Sequence, residues 1–233
     1  MEFDGLQVVV TGGTGALGRA VVAALIDAGA TCHIPYRSEA EVERFPFHDH
    51  KQAKLYPSSD LGNERGVGQL FDHVPSLWAS IHLAGGFAFG PLQDMGETVL
   101  RQQIETNFIT CALCCRGALR AFARNGQGGR IVNVAARPAL EWRSGANMGV
   151  YAASKAAVAA LTVALAEEVA KEGVLVNAVA PSIMDTPTNR RDMPEADFST
   201  WPKVEEVART ILFLASPGNK VTRGAIVPVY GKA

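Results

Sequence analysis

Thr11-Gly12-Gly13-Thr14-Gly15-Ala16-Leu17-Gly18 follows the apolar run Leu6–Val10 and leads into a helix-forming stretch. A strand that passes through a glycine-rich turn into a helix is the opening of a dinucleotide-binding βαβ unit. Gly13, Gly15 and Gly18 permit the tight turn and a close approach of backbone to ligand. The helix N-terminus behind them offers unpaired N–H groups and a partial positive charge to a pyrophosphate. Gly12, Gly13, Thr14, Gly15, Ala16, Leu17 and Gly18 are the expected cofactor cradle.

Strand and helix signals alternate from this turn to the C-terminus. Strands are expected at Leu6–Val10, Ala30–Pro35, Ala53–Tyr56, Trp78–Ala84, Arg130–Ala135, Val174–Ala180 and Ala225–Val229. Helices are expected over Gly18–Ala28, Glu39–Arg44, Gly66–His73, Thr98–Arg124, Val150–Lys171 and Val204–Leu214. The pattern predicts an α/β fold: one doubly wound parallel sheet of about seven strands, helices on both faces, Rossmann-type, over residues 1–233. Asp185–Pro202 is proline-rich, polar and too long for a simple connection, so a substrate lid is expected over 185–202.

Composition narrows the function. A chain of 233 residues, 48% hydrophobic, is ordinary for a globular domain with a full core. A net charge of −1 gives no footprint for nucleic acid. Met1-Glu2-Phe3-Asp4-Gly5 lacks the basic start of a signal peptide. The apolar stretches read as too short or too interrupted to span a membrane. The expectation is a cytoplasmic protein acting on a small molecule. Of Cys32, Cys111, Cys114 and Cys115, the last three crowd one helix at spacings that admit a metal or redox reading. No second ligand cluster accompanies them, so they are expected to pack as small hydrophobes. His48-Asp49-His50 reads as solvated loop, and no metal is expected.

Tyr151-Ala152-Ala153-Ser154-Lys155 sets a phenol and an ammonium on one helix face. A free tyrosine titrates near pH 10, and a neighbouring cation lowers that value. The pair is the expected proton donor and its electrostatic partner. At the end of the second strand, Pro35-Tyr36-Arg37-Ser38 has no acid to bind a ribose 2′-hydroxyl. Arg37 and Ser38 can hydrogen-bond a 2′-phosphate, which favours NADP(H) over NAD(H). Glu39, further into the turn, argues the other way.

Taken together these features resemble the short-chain dehydrogenase/reductase family along essentially the whole chain. The motifs fall in family order: the glycine turn, Asp60, His82-Leu83-Ala84-Gly85, Asn107, Tyr151-x-x-x-Lys155 and Pro181-Ser182-Ile183-Met184-Asp185-Thr186. The resemblance implies that Asp60, with Leu61 beside it, contacts adenine, and that Ala84, Gly85 and Gly86 line the adenosine side. It implies that Thr186, with Pro181 and Ile183, holds the nicotinamide carboxamide. Lys155 would bind the nicotinamide ribose and lower the pKa of Tyr151, and Asn107 would support a water chain to Lys155. It also implies a four-helix interface built from the two long helices, hence a homodimer or homotetramer.

The departures are informative. Ala16 and Ser182 stand where the family usually has glycine, and His82 where it has asparagine. The serine expected after the fifth strand, which hydrogen-bonds a substrate carbonyl, is replaced in Ala135-Ala136. Loss of one preorganised donor costs about 10²–10³ in rate. Ser144 from the following loop, or a water, is the candidate replacement. Within the family, the dihydropteridine reductase branch works with tyrosine and lysine and has alanine at this position. Ala84-Gly85-Gly86-Phe87-Ala88-Phe89-Gly90 and the segment from Asp185 to Trp201 resemble that branch, although its acid near the end of strand two is absent. A quinonoid dihydropterin is flat and carries no lone carbonyl that demands the serine. Phe87, Phe89, Trp142, Met193 and Trp201 are the candidates to sandwich it. Two other readings stand beside this one: a reductase or dehydrogenase of another small carbonyl or alcohol, and a weakly catalytic dinucleotide-binding sensor.

Overall fold

A computed structural model describes residues 1–57 and 60–232. Seven strands form one sheet: β1 (Gln7–Thr11), β2 (Thr31–Tyr36), β3 (Ala53–Pro57), β4 (Leu77–His82), β5 (Gly129–Val134), β6 (Val174–Pro181) and β7 (Ile226–Val229). All pairings are parallel, in the order β3-β2-β1-β4-β5-β6-β7. The order reverses between β1 and β4, so a crevice opens beyond their C-terminal ends, where ligands bind in such sheets. Buried central strands read as continuous apolar runs because both faces are covered.

Nine α-helices are described: α1 (Ala16–Asp27), α2 (Glu39–Glu43), α3 (Glu64–Asp72), α4 (Glu97–Ile104), α5 (Thr110–Asn125), α6 (Arg137–Leu140), α7 (Gly149–Glu168), α8 (Pro187–Asp192) and α9 (Val204–Ala215). The alternation of side chains in β1 sorts them into layers. Val8 and Val10 pack with Val21, Leu25, Val207 and Ile211 of α1 and α9. Val9 faces the other way, with Leu70 and Phe71 of α3, Cys114 and Ala118 of α5, and Val158 of α7.

Expected and observed elements agree to within a few residues, with three differences of consequence. First, α1 begins at Ala16, not Gly18, because Gly15 closes the turn earlier and serves as N-cap. Second, the long helix expected over Thr98–Arg124 is α4 and α5 joined by a π-helical turn, Glu105–Ile109. One extra residue in a turn rotates the side chains that follow, a device concentrated at functional sites. Third, α7 is a 20-residue apolar helix long enough to cross a bilayer, which corrects the expectation that no such stretch exists. It packs on the sheet through Val158, Leu165 and Ala166, and it carries buried Ser154 and Lys155.

Candidate active site

The glycine turn is held tightly against the chain that follows β4. Gly12 has a left-handed backbone (φ +67°), and a β-carbon there would lie 2.7 Å from the Ala84 nitrogen. A β-carbon on Gly18 would collide with the Gly12 carbonyl oxygen. The turn therefore lies against the chain leaving β4, where Thr11 Oγ1 accepts from the Ala84 N–H at 3.3 Å. α1 has no side-chain cap and no acid in its first turn. Its leading N–H groups keep their capacity for a phosphate, so these residues fit a dinucleotide.

The sequence reading missed one residue at this end. Glu41 Oε2 accepts from Thr14 Oγ1 at 3.1 Å and from the Arg37 N–H at 3.2 Å. A signal was present: Ser38-Glu39-Ala40-Glu41 has capping-box spacing. Ser38 is the N-cap of α2, but its side chain makes no cap bond. The carboxylate reaches instead past the cap to Arg37 and across to the glycine turn. Glu39, the acid weighed from sequence, accepts from the Tyr36 hydroxyl at 3.1 Å. Arg37 and Ser38 are exposed. Asp60 is exposed and its carboxylate accepts from the Gly62 N–H, while Leu61 is half-buried beside the core.

Asn107 projects from the π-helical turn and is buried. Its Oδ1 accepts from the Gly86 N–H at 2.8 Å. Its Nδ2 donates to the Gly86 carbonyl at 3.0 Å and to Ser154 Oγ at 3.0 Å. Asn107 thus ties the segment after β4 to α7. Gly85 is needed there, since a β-carbon would stand 2.8 Å from Asn107 Oδ1 and 3.4 Å from Lys155 Nζ.

Tyr151 and Lys155 both lie on α7, one turn apart. Lys155 Nζ donates to the Val134 carbonyl at 2.8 Å. Burial lowers its pKa to about 8. Burial pushes Tyr151 up to about 12. This corrects the expected lowering of Tyr151 by its neighbour. The ammonium is turned toward Val134, and removing the phenol from water disfavours its anion. The phenol is therefore protonated near pH 7.

Around this pair, Phe87 lies edge-on to the Tyr151 ring with centroids 4.9 Å apart, and Phe89 stacks on Phe87 at 6.5 Å. Both phenylalanines are more than half exposed. Ala136 is buried at the N-cap of α6, where its methyl group caps nothing. Ser144 does not supply the missing donor: its hydroxyl already donates to the Glu141 carbonyl at 2.8 Å. Trp142 is 79% exposed and its indole donates to the Ala139 carbonyl.

The lid segment is ordered. Pro181 ends β6, Ile183 is partly exposed, and buried Thr186 caps α8 by accepting from the Asn189 N–H at 3.1 Å. Asp185 and Arg190 form a two-armed ion pair at 2.6 and 2.8 Å. Met193 is half-buried. Trp201 departs from expectation: it is buried, with its ring 4.9 Å from that of Phe198. The indole is packed against the lid's own Phe198.

The cysteines divide. Cys114 is packed in the apolar core, as expected. Cys111 and Cys115 also contact a polar cluster with His82 and Asn133 that no local spacing foretold. His48 pairs with Asp49 at 3.0 Å in an exposed loop.

Comparison with known proteins follows the same lines. The family model described as short chain dehydrogenase matches residues 7–197. The chain is 33% identical over 238 residues to cis-4-hydroxycyclohexanecarboxylate dehydrogenase of Sinomonas cyclohexanicum, covering 96% of this chain and 94% of that enzyme. It is 28% identical to the 3-oxoacyl-[acyl-carrier-protein] reductase FabG of Vibrio harveyi, covering 99% and 98% of the two chains. Among solved structures, ElxO with NADP bound superposes with a TM-score of 0.85 at 25% identity, over 97% of this chain and 98% of that one. With the motifs set around one crevice and the match running through most of the sequence, the chain belongs to the short-chain dehydrogenase/reductase family of oxidoreductases.

Proposed function

We propose that this oxidoreductase is an NADP(H)-dependent reductase of a small, flat, conjugated substrate, with a quinonoid dihydropterin as the first candidate. The observation that carries the reading is buried Ala136, whose methyl group stands where the family resemblance places a serine donor, in a chain that keeps Tyr151 and Lys155 one turn apart. A conjugated ring that takes a proton on nitrogen needs the acid and does without the carbonyl clamp. A reduced nicotinamide held by the glycine turn and Thr186 would supply the hydride. Tyr151 gives its proton to the ring nitrogen, and Lys155, held on the Val134 carbonyl, is assigned to the nicotinamide ribose. Asn107 acts as a positioning residue through Gly86 and Ser154. Phe87, backed by Phe89, offers an apolar wall beside the phenol, with Met193 and Trp142 closing from lid and rim.

Gly12–Gly18, Asp60, Leu61, Ala84, Gly85, Gly86, Pro181, Ile183 and Thr186 are assigned to the dinucleotide. Arg37 and Ser38 are assigned to the 2′-phosphate. The NADP-bound relative supports that choice. Glu41 opposes it, because its carboxylate stands on the Arg37 backbone. Oligomerisation through α4, α5 and α7 is part of the proposal, as a homodimer or homotetramer in the cytoplasm. Exposed Ile104 and Val163 on these elements support it.

A second reading, a dehydrogenase of small cyclic alcohols, is favoured by the 33% identity to an enzyme named for a hydroxycyclohexane acid. A substrate panel run separately with NADH and NADPH separates the two. Quinonoid dihydropterin is expected to be reduced, with Tyr151→Phe lowering kcat by roughly 10²–10⁴ and nucleotide binding retained. Glu41→Gln is expected to favour NADPH further by roughly fivefold, since it removes a like charge beside the phosphate. Ala136→Ser is expected to leave pterin turnover unchanged. Turnover of cyclic alcohols or ketones with inertness toward pterins would assign the protein to the second reading. Tight nucleotide binding with no turnover of either class would leave a binding protein.

A further inference from the structure

The polar cluster behind the crevice gathers side chains of the types that ligate metals. His82 at the end of β4, Cys111 and Cys115 on α5, and Asn133 on β5 meet between the sheet and the helical layer. Their exposures are 4%, 5%, 2% and 0%. The two sulfurs and an imidazole nitrogen lie within 4.8 Å of one another.

Three of its edges have the spacing of a coordination polyhedron. Tetrahedral zinc, with bonds of about 2.3 Å to sulfur and 2.0–2.2 Å to nitrogen or oxygen, sets its ligand atoms about 3.5 Å apart. Cys115 Sγ is 3.6 Å from His82 Nδ1, Cys111 Sγ is 3.3 Å from Asn133 Oδ1, and Cys115 Sγ is 3.5 Å from Asn133 Oδ1. One edge is shorter: His82 Nδ1 and Asn133 Oδ1 are 2.8 Å apart, a hydrogen bond. Metal replaces that proton, and the edge opens by roughly 0.5 Å toward tetrahedral spacing.

The atoms behind the ligands are also in place. His82 Nε2 lies 2.8 Å from Ser80 Oγ, a partner that orients the ring in either protonation state. Asn133 Nδ2 donates to Thr162 Oγ1 at 2.9 Å, which holds Oδ1 toward the sulfurs. Two thiolates neutralise a divalent ion, so the loaded cluster brings no net charge into the core. The soft sulfur pair with imidazole suits zinc over magnesium, calcium or manganese.

From these distances we propose that His82, Cys111, Cys115 and Asn133 form a closed structural zinc site, loaded as the chain folds. Four protein ligands and no opening to solvent give it a structural role. It joins β4, β5 and α5 immediately beneath the catalytic layer. Cys114 supplies the internal control: it is fully buried on the same helix, in the apolar core and outside the cluster.

The test is metal analysis of full-length, tag-free protein grown with zinc and dialysed exhaustively against chelator. The wild type and Cys114→Ala are expected to retain about one zinc per chain, as a closed four-ligand site would. Cys111→Ser and Cys115→Ser are expected to lose at least nine-tenths of it. Protein grown with cobalt in place of zinc is expected to show thiolate-to-cobalt charge transfer and the visible bands of a tetrahedral ion. Folded, nucleotide-binding wild-type protein with less than about a tenth of an equivalent of zinc overturns the proposal. So does metal that persists in both cysteine variants. Should those variants fail to fold, the zinc content and cobalt spectrum of the wild type decide alone.

Discussion

Lys155 shows how far a side chain's chemistry depends on where the fold puts it. Beside Tyr151 in sequence, it reads as a cation that lowers a phenol's pKa. In the folded chain it is turned to the Val134 carbonyl and is itself lowered to about 8. Its unfolded value lies near 10.5. Between these values the unfolded chain holds the proton and the folded chain has released it. Stability conferred through this group therefore rises with pH across that window, at no more than about 1.4 kcal/mol per pH unit. Lys155→Met removes the burden of a buried charge. Its stability relative to wild type is expected to be greater at pH 7 than at pH 10, as read by urea unfolding at both. A difference independent of pH would show that burial does not govern this lysine. At the same scale, Glu41 was present in a capping-box spacing, yet its partner Thr14 was not deducible, because 27 residues separate them.

At the scale of elements, the strand pattern was legible wherever both sheet faces demanded apolar residues. β2 adds a polar fastening. His33 is 3% exposed, with Nδ1 2.8 Å from the Tyr56 hydroxyl of β3 and Nε2 2.8 Å from Gln7 Oε1 of β1. Burial lowers its pKa from 6.5 to about 4. Below pH 6.5 the unfolded chain takes up a proton that the folded chain refuses until about pH 4. The stability held through His33 is thus lost progressively as pH falls across that interval. Replacement by phenylalanine is expected to flatten the acid limb of the stability profile between those values. An unchanged acid limb in the variant would mean that other groups set it. The π-helical turn at Glu105–Ile109 was not legible. Helical periodicity carries straight through this stretch, and the extra residue is accommodated by contacts of Asn107 with Gly86 and Ser154.

For the whole molecule, a ligand that binds the folded chain alone stabilises it by mass action. At a hundred times Kd this amounts to about 2.7 kcal/mol. For a chain of this size each kcal/mol moves Tm by roughly 2–4 °C. Saturating NADPH is expected to raise Tm by roughly 5–10 °C in a thermal scan. Neither NADPH nor NADH raising Tm would remove the dinucleotide assignment and the reductase reading with it. The crevice exists because the sheet order reverses between β1 and β4, which brings Thr11 against Ala84 across most of the first half of the chain.

Sequence by itself determined the layers of this protein, the glycine turn, and the one-turn spacing of Tyr151 and Lys155. Those depend on local periodicity and on the steric freedom of single residues. Tertiary structure alone decided where the Lys155 ammonium points, that Trp201 is buried against Phe198, that Glu41 meets the glycine turn, and that His82 meets Cys111 and Cys115. Each of these is a contact or a desolvation set by residues distant in the chain, and no local pattern encodes which polar groups the packed core will bring together.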